Sequence, residues 1–368
     1  MSKETKKKII KQEITFLKYS VGSDISKDKF DACISSIDTM QRVKVIATRS
    51  FNNTEKGINS YLIWVKQKCK LNLPVVHLME ATGVYYEKLA WSLHHSKESL
   101  SVILPNKAKK YLQSLGLKTK NDKIDAKGLS RMGAEQNLPL WEAPDKNMME
   151  LRSVTRHREH LQETKTQINN QLHALSSSEY VNEEVLKQQE ILLTMLDEQI
   201  KESFKMIKKL VDSDDELKDK IENITEIKGL GLISVATVIA ETNGFKLFKN
   251  QRQLVSFAGY DVIENQSGKH VGKTKISKRG NTHIRRILHM PSFSVVSNNE
   301  IIFKNLQERV YASTKQKMKG YVAVQRKLLV IIYTLWRKNE KYKKDYSTSK
   351  QDKYPEMQSK SSSFRSVA

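Results

Sequence analysis

Three short runs near the start of the chain, residues 16–24, 30–37 and 43–50, alternate apolar and polar positions with a period of two. That alternation sends successive side chains to opposite faces, so each run predicts a half-buried strand. Ser26-Lys27-Asp28 supplies a turn between the first two, and the three strands in close succession predict a meander. After Asn53 and Thr54, either of which suits a helix N-cap, Ile58, Leu62 and Val65 recur at helical spacing and predict a helix over 55–69. Residues 73–80 return to strand character. Thr82-Gly83-Val84-Tyr85 turns into a helix with Leu89 and Leu93 inward, residues 99–104 form a further strand, and Pro105 opens a helix, where its missing N–H costs nothing. From Lys118 to Lys127 the chain reads as the opening of another helix, with Asp122 and Asp125 three residues apart and therefore on one face.

Three antiparallel strands, then helix, strand, helix, strand and helix, is the order of the ribonuclease H-like (RuvC-like) fold. In that fold the centre of the first strand, the end of the fourth strand and a late helix converge on one metal site. Asp24, Glu80 and the pair Asp122/Asp125 fall at those three places. Four carboxylates brought together would hold divalent metal, and oxygen-only ligands suit Mg²⁺ better than zinc.

Beyond Trp141 and Pro144 the pattern changes to a long helical period nearly free of glycine and proline. Leu151, Val154, Leu161, Ile168, Leu172 and Leu175 mark one apolar stripe, Ser176-Ser177-Ser178 breaks it, and Leu186, Leu193, Leu196, Ile200, Phe204 and Ile207 mark a second over 182–211. An antiparallel helical hairpin and a coiled-coil dimer seam are both consistent with these stripes. Arg152, Arg156, Arg158 and Lys165 along the first helix either face nucleic acid or form a solvated charged face. Ile227-Lys228-Gly229-Leu230-Gly231 then precedes a helix rich in small residues. It reads either as a phosphate-binding helix–hairpin–helix or as a tight turn without a ligand. The densest chemistry in this half is the block Gln266-Ser267-Gly268-Lys269, followed by Lys273, Lys275, Ser277, Lys278, Arg279, Arg285 and Arg286. Its cations are candidates for nucleic-acid phosphates, and both Ser267 and Ser277 lie in the basic loop. An apolar helix over 321–338 belongs to a core. The expected organisation is a basic arm (1–13), the RuvC-like domain (14–140), the helical hairpin or coiled coil (141–225), a mostly helical C-terminal domain (226–340) and a disordered tail (341–368).

Charge narrows the partner. The 368 residues carry 64 Lys and Arg against 41 Asp and Glu, a net +23, which favours a polyanion, nucleic acid first. Cys33 and Cys69 form no CxxC pair, which argues against a zinc knuckle or a disulfide framework and fits a reducing cytoplasm. The first eleven residues lead into no apolar core of a signal peptide, and no run approaches the roughly 20 apolar residues of a membrane helix. No phosphate-binding Walker loop or nucleotide-cofactor motif is present.

Gly22-Ser23-Asp24-Ile25-Ser26-Lys27, Glu80-Ala81-Thr82-Gly83-Val84-Tyr85 and Asp122-Lys123-Ile124-Asp125-Ala126 resemble the three acidic motifs of the insertion-sequence 110 family of DEDD transposases. Phe257-Ala258-Gly259-Tyr260 and the Ser267 block resemble that family's C-terminal domain. Asn121 departs from the threonine many relatives carry there. The resemblance implies a DNA transposase or recombinase in which Ser267 is the nucleophile and forms a phosphoserine link to DNA. It also implies that the acidic domain of one subunit meets the serine domain of another in a dimer or tetramer, and that a bridge RNA pairs with donor and target DNA. Two other classes fit the residues less well. A junction-resolving nuclease needs the four carboxylates but no serine, and a non-catalytic nucleic-acid-binding protein needs neither.

Overall fold

Strands β1 (Phe16–Ile25), β2 (Lys29–Asp38) and β3 (Val43–Asn52) lead into α1 (Glu55–Lys68), β4 (Val75–Glu80), α2 (Glu87–His95), β5 (Ser99–Ile103), α3 (Pro105–Ser114) and α4 (Asp122–Glu135). The computed structural model describes residues 15–81, 83–116, 121–246, 248–263, 266–267, 270–272 and 275–343. The expected arm, most of the tail, Thr82, Lys118 to Lys120, Gly268, Lys269 and Lys273 lie outside them. The chain divides into two compact units, Met1–Ala143 and Pro144–Ala368.

In the first unit the strands form one sheet in the order β3-β2-β1-β4-β5. The β1/β2 and β2/β3 pairs are antiparallel, and the β1/β4 and β4/β5 pairs are parallel. The turn explains the first pairing: Ser26 N–H donates to the Lys29 carbonyl at 2.9 Å and closes a tight hairpin. Parallel neighbours need a crossover, which α1 and α2 supply. This order and polarity are those of the ribonuclease H-like fold. One face is sealed by an aromatic cluster in which Phe30, Phe51, Tyr61 and Trp64 lie within ring distances of 5.3–6.3 Å. Beneath it the Tyr61 hydroxyl meets His77 Nδ1 at 2.6 Å, and burial pushes the His77 imidazole down to about 4.

The other face receives α4 at unusually close range. A Cβ on Gly22 of β1 would stand 2.0 Å from the Ser130 nitrogen and 2.5 Å from the Ala126 carbonyl oxygen, so only glycine admits the helix backbone there. Gly133 gives the reciprocal clearance on the helix, 2.3 Å from Ser20 Oγ. Ser130 Oγ fastens the contact, donating to the Ser20 carbonyl at 2.9 Å and meeting Ser35 Oγ at 2.8 Å.

The second unit comprises α5 (Lys146–Ser176), α6 (Glu183–Asp212), α7 (Asp215–Thr225), α8 (Leu232–Glu241), α9 (Gln251–Phe257), β6 (Val262–Ile263), β7 (Gln266–Ser267), β8 (His270–Val271), β9 (Lys275–Ile276), α10 (Thr282–Ile287), α11 (His289–Ser297), α12 (Ile301–Thr314) and α13 (Lys317–Lys338). Helices α5 and α6 form an antiparallel hairpin stitched by Leu161, Leu196 and Ile200. The base of that hairpin, through Leu151, Ile207 and Val211, enters the same core as α7, α8, α11 and α13. One expected inward position differs: Phe204 is exposed, and Ser203 takes the buried place. The cause is Arg158, whose guanidinium turns inward to the Ile200 carbonyl and to Ser203 Oγ. Among the described residues no helix is long and apolar enough to cross a membrane.

The close approach at Gly22 generates a sharp prediction. Gly22→Ala should destabilise the protein by about 1–3 kcal/mol or more through overpacking, and should abolish DNA cleavage because α4 must shift outward. Gly231→Ala, whose Cβ would meet nothing within 4 Å, should cost no more than the roughly 1 kcal/mol of a weakened α8 N-cap and should leave α4 in place. Chemical denaturation and a cleavage assay on both variants provide the check, and a fully active, equally stable Gly22→Ala protein contradicts the packing account.

Candidate active site

Asp24 lies two residues beyond Gly22 and so projects from the same face of β1, the face that α4 covers. Strand β4 runs parallel to β1 with Ser23 opposite Met79, which puts Glu80, the last residue of β4, beside Asp24 at the same sheet edge. Asp122 and Asp125 occupy the first turn of α4, which is capped by Asn121, whose side chain accepts from the Ile124 N–H at 2.9 Å. Strand, strand and helix therefore deliver the four expected carboxylates to one neighbourhood.

Asp24 is half-buried, and its carboxyl is pushed up to about 6. Burial is the largest cause, followed by the negative fields of Asp125, Glu80, Asp122 and Asp31. Asp31 is a fifth carboxylate that the sequence reading overlooked. It faces Asp24 across the β1/β2 hairpin and is only 2% exposed. The turn expected at Ser26-Lys27-Asp28 closes on Lys29 and fixes that pairing, so the register it implies was the signal that could have found Asp31. Lys29 Nζ stands 3.5 Å from Asp122 Oδ2 and 3.8 Å from Asp31 Oδ2, a partial counter-charge.

Asn53 contributes a second feature not expected of it. Thr54, not Asn53, caps α1, accepting from the Gly57 N–H. The Asn53 amide, 3% exposed, donates instead to the Ser26 carbonyl at 3.1 Å and to the Tyr85 carbonyl at 3.0 Å. It thereby ties the turn that follows Asp24 to the loop that follows Glu80.

Among the described residues no three of His, Cys, Asp or Glu close into a ready metal cage. The donor chemistry nevertheless fits a hard divalent cation. The cluster is all oxygen, it is short of positive charge, and burial followed by the field of its neighbouring carboxylates pushes Asp24 up to about 6.

The described part of the serine block forms two short antiparallel strand pairs in the second unit, together called the ribbon below. β6 pairs with β9, and β7 pairs with β8 with Ser267 opposite His270. Ser267 is exposed. Ser277 is half-buried, and its hydroxyl accepts from the Arg279 N–H at 3.3 Å while its own N–H donates to the Asp261 carbonyl at 2.7 Å. Of the expected nucleic-acid cations, Lys275, Lys278 and Arg279 are exposed. Arg285 instead donates to the Ala258 and Asn281 carbonyls at 2.8 and 3.1 Å, and Arg286 pairs with Glu159 and Glu163. Arg156, Arg158 and Lys165 of the hairpin are likewise engaged. Arg156 grips Glu241 with two hydrogen bonds of 2.6 and 2.8 Å, and Lys165 pairs with Asp197. The tight turn at Gly229 has a packing cause, because its φ of +100° brings it against the Ser294 backbone.

The raised Asp24 pKa has a stability consequence whose sign is fixed. A carboxyl that titrates near 6 when folded and near 3.8 when unfolded binds its proton more tightly in the folded state. Its contribution to stability is therefore present below about pH 4 and is lost as pH rises through 6, leaving repulsion that opposes folding. In chelator at pH 7, Asp24→Asn should raise stability by roughly 1 kcal/mol, a figure reduced from the two-unit shift because the group is partly exposed to solvent. Added Mg²⁺ or Mn²⁺ should raise the Tm of the parent protein and not of the variant. Calorimetry at pH 5 and pH 7 with and without metal makes the measurement, and a parent Tm indifferent to divalent ions contradicts the reading of the cluster.

Comparison with known proteins accords with this arrangement. Residues 21–178 match the DEDD transposase family of insertion sequence IS110, and residues 221–307 match the family described as Transposase IS116/IS110/IS902. The chain is 31% identical over 330 residues to the pilin gene-inverting proteins of Moraxella bovis and Moraxella lacunata, covering 88% of this chain and 97% of each of theirs. It is 23% identical over 350 residues to the transposase for insertion sequence element IS1111A of Coxiella burnetii, covering 88% of this chain and 91% of that one. Among solved structures, Thermus thermophilus RuvC aligns over 32% of this chain and 93% of its own, with 9% identity and a TM-score of 0.26. With both acidic and C-terminal regions matched and the Moraxella proteins covered almost end to end, the chain belongs to the IS110 family of DEDD transposases, enzymes that cut and rejoin DNA.

Proposed function

We propose that this transposase cuts and rejoins donor and target DNA through a covalent link to Ser267, with Asp24, Glu80, Asp122 and Asp125 holding Mg²⁺. The observation that carries the reading is the joint action of Asp125, Glu80 and Asp122 on the Asp24 carboxyl. Mg²⁺, when bound there, supplies charge that activates an attacking oxygen and steadies a leaving one. The chain's own residues do the rest. Asp24 and Glu80 present oxygens from adjacent strand ends, Asp122 and Asp125 present theirs from a helix start, and Lys29 and Asn53 keep the turns around them in register.

The hydroxyl of Ser267 attacks the scissile phosphorus. A Ser–O–P bond forms, the bond from phosphorus to the 3′ oxygen breaks, and the proton given up by serine is balanced by the one that the released 3′-hydroxyl acquires. Attack by a 3′-hydroxyl on the phosphoserine link reverses these bonds, joins strands and frees the serine. Serine is a weak nucleophile without activation, so the reading needs the acidic cluster and the serine at one phosphate. The two lie in separate compact units, and in this proposal a homodimer or tetramer supplies them from different subunits. The exposed Ile191, Met195 and Met206 on α6 support self-association along the hairpin. A bridge RNA completes the proposal. The net charge of +23 supports it, with phosphates available to the exposed Lys275, Lys278 and Arg279. Relatives named for inverting a gene favour a recombinase over a nuclease that only cuts.

The serine assignment is tested by trapping. With end-labelled DNA and co-purified RNA, the parent protein should retain label after denaturation, at a peptide containing Ser267. Ser267→Ala should form no adduct, Ser277→Ala should form it, and Asp122→Asn should bind DNA without cutting. An adduct on Ser277 overturns the assignment, and cleavage without any adduct means that water is the nucleophile.

A further inference from the structure

The second unit contains a groove that neither the acidic cluster nor the exposed serine uses. It encloses about 650 Å³ between the β6/β9 end of the ribbon and the helices α12 and α13. Its floor is apolar, formed by Val262 and Ile276 of the ribbon, Leu306 of α12, and Met318, Val322 and Val330 of α13. Four cations line it, Lys275, Lys319, Arg326 and Lys327, and no carboxylate does. Among the described residues none of the four has an acidic side chain within ion-pairing distance, whereas Arg156, Lys165 and Arg286 all do. The floor is also stiff. Behind it the buried Tyr260 hydroxyl donates to Gln325 at 3.0 Å, and Gln325 meets His289 at 3.2 Å.

We infer that this groove binds an unpaired nucleic-acid strand, with bases on the apolar floor and phosphates on the four cations. Each half of the chemistry excludes an alternative. A paired duplex hides its base faces and offers phosphates alone, so it gains nothing from the floor. An apolar peptide or lipid tail gains nothing from the unpaired cations. A single strand presents a π-face and a phosphate at every step, and uses both. The spacing is suitable. Lys319, Arg326 and Val330 follow one face of α13, and Lys319 to Arg326 is two helical turns, about 10 Å. That length spans about three phosphates at duplex rise and fewer in an extended strand.

The location gives the strand a purpose. Val262, Lys275 and Ile276 are the base of the ribbon whose further strands carry Ser267. Ile263 and Ser267 are four residues apart, so at most about 14 Å of chain separates them. On the serine reading above, the groove seats the nucleotides that flank the attacked phosphate once they have left their complement, and so selects opened DNA over closed duplex.

Binding measured in the Ser267→Ala full-length protein tests the groove independently of the chemistry. Fluorescence anisotropy would compare a labelled single strand of about 12 nucleotides, within the usual footprint of such sites, with a duplex of the same sequence. Met318→Glu, at an exposed floor position, and the double variant Lys319→Ala/Arg326→Ala should each weaken single-strand binding about tenfold or more and duplex binding by less than about twofold. A 2-aminopurine placed in the strand should brighten on binding the parent, as the aliphatic floor parts it from its neighbouring bases, and should not brighten with either variant. Equal weakening of strand and duplex reduces the groove to a generic basic surface, and no weakening removes it as a site. A change in sedimentation mass caused by Met318→Glu assigns the groove to a second copy of the chain and also overturns the proposal. If strand selectivity is lost as expected but the parent forms no adduct at Ser267, the serine reading falls and the groove stands.

Discussion

The contact between α4 and β1 governs the first unit. At Gly22 the helix backbone comes as close to the strand as missing side chains allow, and the Ser130 hydroxyl holds it there. That proximity brings the first turn of α4 to the edge where β1 and β4 end, and so sets Asp122 and Asp125 against Asp24 and Glu80. Such an assembly of like charges opposes its own formation, and together with burial, the larger cause, it raises the pKa of Asp24. Part of the opposition is offset locally. Asp122 and Asp125 sit at a helix N-terminus, where exposed N–H groups favour negative charge, and Lys29 reaches Asp122. The remainder is the negative charge that, in the function proposed above, a divalent cation would neutralise.

In the second unit the organising charges are spent internally. Burial works against an ionised Glu241, yet the hydrogen bonds from Arg156 and Asn281 hold its carboxyl below its ordinary value. Asn281 also caps α10, accepting from the Ile284 N–H, so the same network joins α5, α8 and the loop that follows the ribbon. Breaking one member would strand a buried charge, which costs far more than the pair contributes. Arg286 and His283 add a second tie through Glu159. Among the described residues of the basic block, Arg285 and Arg286 are thus already engaged, whereas Lys275, Lys278 and Arg279 are exposed, as are Lys319, Arg326 and Lys327 on α13.

Much of this was legible in the sequence. Period-two and period-three-to-four patterns gave the order of elements in the first unit; Glu80 ends β4 and Asp122 and Asp125 open α4, whereas Asp24, assigned to the centre of the first strand by the fold, lies one residue before the end of β1. What escaped was long-range pairing. Asp31 became a neighbour of Asp24 only through hairpin register, and Asn53 became a clamp only because two loops far apart in sequence meet beside it. Phe204 was expected inward because an apolar stripe was read without knowing that Arg158 would claim the interface and leave room only for Ser203. Arg285 and Arg286 looked like phosphate ligands because composition counts charges and cannot show which carbonyls or carboxylates already hold them. Only the exposure of Ser267 beside the internally bonded Ser277 separates those two serines on structural grounds.

The central claim is that α4 and the strand ends form one divalent-cation site. Crystals of the protein grown with Mn²⁺, measured at the manganese absorption edge, test it directly. The account predicts anomalous peaks within about 2.5 Å of carboxylate oxygens from Asp24 and from Glu80, Asp122 or Asp125, a normal range for hard cations on oxygen ligands. Peaks elsewhere on the molecule, with these carboxylates bare and apart in the same crystal, would contradict it.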